Sequence, residues 1–443
     1  MTEAAIIDRY REQFTQLAPR QAGAQLPWLQ RARARAFDRF AELGLPTTRL
    51  EDWKYTSVAA LEKRAFHAPA ATAGIDAERV ASLTLQGCHL LVFVNGRHVP
   101  SLSHIGALPA GARLGSIAAE IESGGERLES FLTADAATLV NGFTALNAAF
   151  WDDGAYVDLA PGVGLEAPVH LLFIAAAADA AFYPRNIIRA GAGARAEIIE
   201  HYIGVDEFSY FTNAVTQIDA EAGATLVHAK LQQESGRGFH IADVRAAQGA
   251  DSRFTSHSFA LGGLVSRSEI ATRLNAEGCA ATLLGLYLPQ GRQHMDHHTR
   301  IDHAQPRGTS RELYKGVLDG ASRAVFNGKV IVYPNAQRTD AEQSNRNLLL
   351  SENAEVDTKP QLEIFADDVK CSHGATVGQL DAGQVFYLRS RGIDEAAARA
   401  LLTLAFAREV VTRVDTSALR ARIEALLLAR FGNGHALNFG EAV

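Results

Sequence analysis

The sequence predicts a mainly β protein, built as a solenoid of stacked coils or as a large β-sandwich, with helical regions at both ends. Two observations carry this prediction. From about residue 151, Gly-Ala turns recur, each followed by strict alternation of side-chain character: GARAEIIEHY, GATLVHAKLQ, GADSRFTSHSFA and GCAATLLGLYL. Their glycines, 193, 223, 249 and 278, stand 30, 26 and 29 residues apart. Helical spacing is also almost absent over about 230 residues, so crossover helices do not join the strands. Periodicity leaves the solenoid and the sandwich both open.

Bulk composition sets outer bounds. A chain of 443 residues with 47% hydrophobic and 21% charged residues buries a sizeable core and suggests two or three domains. A net charge of −7 argues against a nucleic-acid partner, which needs a basic face to release counterions. Three cysteines, Cys88, Cys279 and Cys371, are too widely spaced for a disulfide framework or a CxxC pair, which fits a reducing cytoplasm. The opening MTEAAIIDRYREQF lacks the apolar stretch of a signal peptide. VHLLFIAAAADAAF meets Asp179 after about ten residues and is too short to span a bilayer. A cytoplasmic protein with no membrane contact is expected.

Residues 1–150 read as mainly helical with a short β segment. TEAAIIDRYREQFTQLA and PWLQRARARAFDRFAELG carry apolar residues at helical spacing, with Pro27 at a start and Gly44 then Pro46 at a stop. HLLVFVNGRHV reads as a strand entering an Asn-Gly turn. Residues 151–385 form the β core. Residues 386–443 are helical again. Asp394 is a plausible N-cap for a helix with Leu401, Leu404, Ala405 and Arg408 on successive turns. Leu419, Ile423, Leu426 and Leu427 mark a second helix that stops at Gly432. Two roles are open to this pair: a cap over the open end of a solenoid, or a docking surface.

Four stretches are candidates for chemistry. In GRQHMDHHTRIDH, a strand would place His294, Asp296 and His298 on one face and His297, Thr299, Ile301 and His303 on the other. The first set has the donor types of a cupin-like metal site; a hydrogen-bonded core ladder is the other reading. GASRAVFNGKV is no phosphate loop, because its Gly-Lys lacks a following Ser or Thr, and Asn327-Gly328 reads as a turn. The polar run NAQRTDAEQSNRNLLLSENAEVDTKP is either an exposed excursion or a set of ladders using Gln337, Gln343 and Asn345. Last, VKCSHGATVG as a strand would put Cys371 and His373 on one face, about 6.5–7 Å apart at the backbone. Thiolate and imidazole could share a soft metal, but two ligands do not close a tetrahedral site, so others must come from elsewhere. A Cys-His nucleophile lacks an orienting partner here, and Cys371 could also be a small buried hydrophobe.

Several long motifs resemble the SufB/SufD family of iron–sulfur cluster assembly proteins. They are EDWKYTSV, NGFTALNAAFWDDGAYVDLAPGVGLEAPVHLLF, GASRAVFNGKVIV, QRTDAEQSNRNLLLSENAEVDTKPQLEIFADDVKCSHGATVGQLD and FYLRSRGIDEAAARALLTLAF, in family order from about residue 49 to 410. Where the SufB scaffold is similar to Cys-x-His-Glu-Ala-Thr, this chain has Gly374 after His373, which removes a carboxylate. That departure, the few cysteines and the Glu51-Asp52-Trp53-Lys54-Tyr55 start are similar to the SufD branch. The resemblance implies a right-handed parallel β-helix flanked by N-terminal and C-terminal helices. It also implies a complex with a SufB-like scaffold subunit and two copies of a SufC-like ABC ATPase, and a homodimer when the chain is alone stays open. It further implies a non-catalytic scaffold role in which His373, with Cys371 beside it, lends a ligand to iron or a nascent cluster at a subunit junction, nothing being firmly held by the isolated chain. The helices at about 386–430 would dock the ATPase. The rival reading is a metalloenzyme using His294, Asp296 and His298.

Overall fold

The computed structural model describes residues 2–69, 75–133 and 139–432. There are two ten-stranded sheets, and from Arg185–Ala190 onward successive strands alternate between them, each pairing in parallel with the strand two places on. The first sheet starts from the Arg97–His98 and His89–Val94 hairpin. It runs through Val169–Ala175, Arg195–Gly204, Thr225–Gln233, Arg253–Ala260, Ala280–Tyr287, Thr309–Leu318 and Asp340–Leu349 to Lys370–Gly378. The second runs from Ala112–Ser116 and Ala155–Leu159, through Arg185–Ala190, Phe211–Ala220, Phe239–Gln248, Val265–Leu274, His294–His303 and Arg323–Val332, to Glu355–Ile364, with the short Ala181–Phe182 strand also beside Phe211–Ala220. This pairing decides between the two β architectures: the protein is a parallel β-solenoid, each coil giving one strand to each sheet.

Alternation along each strand sends every second side chain inward. Ile198, Leu226, Phe254 and Leu283 from the first sheet meet Ala214, Ala242, Ile270 and Phe326 from the second in one apolar core. Burying each large member stabilises the fold by about 1.5–3 kcal/mol. The Gly-Ala turns close the coils, and Gly193, Gly223 and Gly278 use the left-handed conformation (φ +69°, +68° and +75°). The turn at 249 differs. There the left-handed residue is Asp251, and Gly249 is required by close approach, since a Cβ would lie 2.8 Å from the Ala222 amide nitrogen.

One expectation is corrected here and one open choice is decided. Asn327-Gly328 makes no turn but lies inside the Arg323–Val332 strand, because a glycine is needed there for space: a Cβ would strike the Gln343 amide and the Phe326 ring. The polar run after Pro334 supplies two further strands, and Gln343 and Asn345 are buried in its ladder. Gln337 instead braces an exposed turn, donating to the Pro334 carbonyl at 3.1 Å and accepting from the Asp368 amide at 2.9 Å.

Helices sheathe both outer faces. Glu3–Leu17, capped by Thr2, and Pro27–Leu43, ended by Gly44 at φ +62°, join the Gly142–Phe150 helix on the second sheet. Tyr10, Phe37, Phe40, Phe143 and Phe150 pack there against Phe211, Phe239 and Ile241. On the first sheet lie Glu395–Val411, whose cap Asp394 accepts from Ala397 at 3.0 Å, and Ser417–Phe431. Their Leu404, Val411, Leu419 and Ile423 cover Leu231, Phe259, Leu286 and Leu313. Lys315 pins them, donating to the Phe406 carbonyl at 3.0 Å and pairing with Glu409. These helices therefore flank the solenoid and do not cap it, because their apolar stripe matches the outer face of the sheet. No helix among the described residues is long and apolar enough to cross a membrane.

Candidate functional site

The two ends of the solenoid differ. The first is closed by antiparallel neighbours, Arg97–His98 beside His89–Val94 and Ala112–Ser116 beside Ala155–Leu159. At the other end, Lys370–Gly378 and Glu355–Ile364 are the outermost strands of their sheets, and among the described residues no strand pairs beyond them. Long, open strand edges are templates for another chain.

Register shows how this end faces. Cys371, His373, Ala375 and Val377 continue the columns of Ala341, Gln343, Asn345 and Asn347, all four of them buried and inward. Cys371 and His373 thus lie on the inward side of the last coil, at the mouth of the lumen. Across it, Val356, Thr358, Pro360 and Leu362 continue the inward columns of Ala324, Phe326, Gly328 and Val330. With no further coil above among the described residues, His373 is exposed and Cys371 half-buried. Apolar Ile364, Phe365 and Val377 are exposed at the same end (41%, 60% and 49%). Burial raises the Cys371 thiol pKa, with the Asp340 carboxylate adding to it and a bond from the Ala341 backbone opposing. A cation at the mouth would be needed to draw out the thiolate.

Beneath the mouth the lumen is polar. The Gln343 amide donates to Glu312 Oε2 at 2.7 Å, and burial pushes the Glu312 carboxyl up to about 7. Asn345 donates to the Tyr287 hydroxyl at 3.0 Å, while Thr358 donates to Asn345 at 2.8 Å. Sequence reasoning did not connect Glu312 and Gln343 with His373. The signal was the coil repeat: positions 312, 343 and 373 are 31 and 30 residues apart, close to the spacing of the Gly-Ala turns.

The histidine-rich strand divides as the alternation predicts, but its outward set makes no metal site. Thr56 Oγ1 bridges His294 Nε2 (2.8 Å) and Asp296 (2.5 Å), and Arg267 reaches Asp296 at 2.6 Å and His298 Nε2 at 3.2 Å. The same guanidinium donates to the Asp52 carbonyl at 2.7 Å and covers the Trp53 ring. A fixed cation stands among the three supposed ligands, and the motif EDWKYT is the strap that it holds. Although burial alone would raise it, the Asp296 carboxyl is held well below the usual carboxylate range by Arg267 and then His298. Among the described residues no group of three His, Cys, Asp or Glu side chains is placed to hold a metal. Inward, His297 and His303 are buried, and burial lowers their pKa values to about 3 and about 4.

The other cysteines lie away from the terminal strands. Cys279 is buried, and its thiol donates to the Gly249 and Ala276 carbonyls at 2.9 and 3.1 Å. Cys88 is half-buried, with its thiol raised to about 11 by burial and then by Glu197.

Comparison with known proteins covers nearly the whole chain. A family model described as "SUF system FeS cluster assembly, SufBD core domain" matches residues 173–406, and one described as "SufBD protein N-terminal region" matches residues 3–171. The chain is 34% identical to an iron–sulfur cluster assembly SufBD family protein of Synechocystis, over 92% of each chain. It is 35% identical to the iron–sulfur cluster assembly protein SufD of Escherichia coli, over 88% of this chain and 89% of the relative. With the SufD of Bacillus subtilis it shares 28% identity over 64% of this chain and 65% of that one.

Proposed function

Because the chain belongs to the SufBD family of iron–sulfur cluster assembly proteins, we propose that it is a non-catalytic co-scaffold that lends His373 as a ligand to iron or a nascent cluster shared with a second subunit. The cluster is cargo, held in transit. The observation that carries this reading is the exposure of His373 on an outermost strand whose far edge has no neighbour among the described residues. One imidazole and one half-buried thiol are too few to hold an iron centre, and a chain pairing along that edge would bring the rest. Cys371 has a secondary role, gaining thiolate character only once a cation arrives.

The partner at the edge is a SufB-like scaffold subunit, and a second copy of this chain takes that place when the scaffold is absent. Exposed apolar side chains at the mouth, Phe365 and Val377 among them, support a protein partner there. A SufC-like ATPase docks on the C-terminal helices at about 386–430. Phe386 and Tyr387, 71% and 56% exposed on the Ala382–Ser390 helix, support that surface. ATP binding by that partner would shift the helices and, through Lys315 and the apolar contacts beneath them, the solenoid edge, admitting iron.

The test is His373→Ala in a complex co-expressed with SufB-like and SufC-like chains, with iron and sulfide measured anaerobically. Cluster content should fall severalfold while the complex still assembles. Wild-type content in an intact complex would refute the ligand role and leave a structural adaptor.

A further inference from the structure

The geometry points to Gln343 as a positioning residue that sets which nitrogen of the His373 ring carries the proton. It rests on the ligand reading above only for its use: a ligand needs one ring nitrogen with a free lone pair, turned away from the protein.

Glu312, 3% exposed, has only acceptor oxygens when ionised, and its Oε2 takes a bond from Gln343 Nε2 at 2.7 Å. The orientation of the Gln343 amide is thereby set by its neighbour, with nitrogen toward the carboxylate and oxygen left over. That oxygen, Oε1, is buried and has no hydrogen-bond partner among the described residues. Gln343 itself is 1% exposed, and an unpaired buried acceptor of this kind is costly to leave without a donor. Gly328 opposite leaves room for this amide, since a Cβ there would overlap Nε2. The next group in the column is His373, in register on the adjacent parallel strand. A neutral imidazole has one N–H to donate and one lone pair to offer. Turned toward this unpaired oxygen, the ring would donate to it and keep the lone pair of its other nitrogen for the mouth. Outer partners of this kind fix tautomer and orientation in histidine ligands generally.

Ring-nitrogen NMR of the full chain, labelled with ¹⁵N-histidine and held at pH 8, tests this. His373 is assigned by its absence in His373→Ala. In the wild type its two ring nitrogens should resolve as one protonated and one unprotonated, more widely separated than in free histidine. In Gln343→Leu the separation should fall to the free-histidine value, with the other histidine signals unchanged. Glu312→Gln, which frees the amide to turn, should reduce it in the same direction and serves as the decisive variant if Gln343→Leu does not fold. A wild-type separation equal to free histidine, or one unchanged in the folded variants, overturns the assignment. The measurement needs no partner and no cluster. Failure here leaves the ligand reading intact, and wild-type cluster content in the His373→Ala complex would leave this one standing.

Discussion

The guanidinium carbon of Arg267 sits 3.8 Å from the centre of the Trp53 ring, so a strand in the middle of the solenoid is clamped to a segment near the start of the chain. Arg267 and Asp296 are both 1% exposed at the side chain and 2.6 Å apart. Breaking a buried pair leaves the surviving charge uncompensated, at a cost of about 3–5 kcal/mol. Asp296→Ala should therefore lower stability by roughly that amount in denaturant titration, and release the strap to proteolysis. Because the folded Asp296 carboxyl titrates below its unfolded value, its contribution is complete above about pH 4 and is lost as pH falls below it. A loss under about 1 kcal/mol would contradict the clamp.

Glu312 behaves with the opposite sign. Its folded carboxyl titrates at about 7, above the unfolded range, so the folded state holds the proton more tightly. Stability from this group is complete below about pH 4.5 and drains away as pH rises through 7, by about 3 kcal/mol. Relative to the wild type, Glu312→Gln should gain stability across that window and show a flatter profile. Parallel profiles for the two proteins would argue that the carboxyl is ionised throughout.

Gly328→Ala should destabilise the chain by about 1–3 kcal/mol through overpacking against Gln343 and Phe326. Truncating Gln343 to Ala makes room, so the double variant should recover part of that loss. Strict additivity of the two changes in unfolding experiments would remove the proposed contact.

Val377→Asp lies on an exposed surface, and in the isolated chain it should change stability by no more than about 0.5 kcal/mol. In co-purification it should sharply reduce recovery of a SufB-like partner, because a charge would enter an apolar contact beside an open strand. Undiminished recovery would count against the proposed junction at this edge.

Lys315 is 3% exposed at the side chain and holds both the Phe406 carbonyl and Glu409. Lys315→Ala should loosen the C-terminal helices, seen as faster proteolysis after residue 390 and a stability loss of about 1–3 kcal/mol. Equal cleavage rates would assign the docking of these helices wholly to their apolar contacts.

Much of this molecule is legible in local pattern. Alternation with a period of two gives strands and their two faces, and it correctly divides His294, Asp296 and His298 from His297, Thr299, Ile301 and His303. Pro27, Gly44 and Asp394 mark helix ends through backbone chemistry that needs only near neighbours. Placing Cys371 and His373 on one face likewise follows from chain geometry.

What covers a face is a different matter, because it depends on residues hundreds of positions away. Whether strands pair with the next or the next but one separates sandwich from solenoid, and only the assembled sheets decide it. The outward histidines look like ligands until Thr56 and Arg267 are found among them. Asn327-Gly328 has the composition of a turn, yet the glycine answers to the Gln343 side chain on a neighbouring coil. The exposure of His373 follows from its place on the outermost strand, with no neighbour beyond it among the described residues. Sequence periodicity is set by each strand's own backbone, whereas closure, burial and charge pairing are set by contacts between coils, and these exist only once the chain has wound.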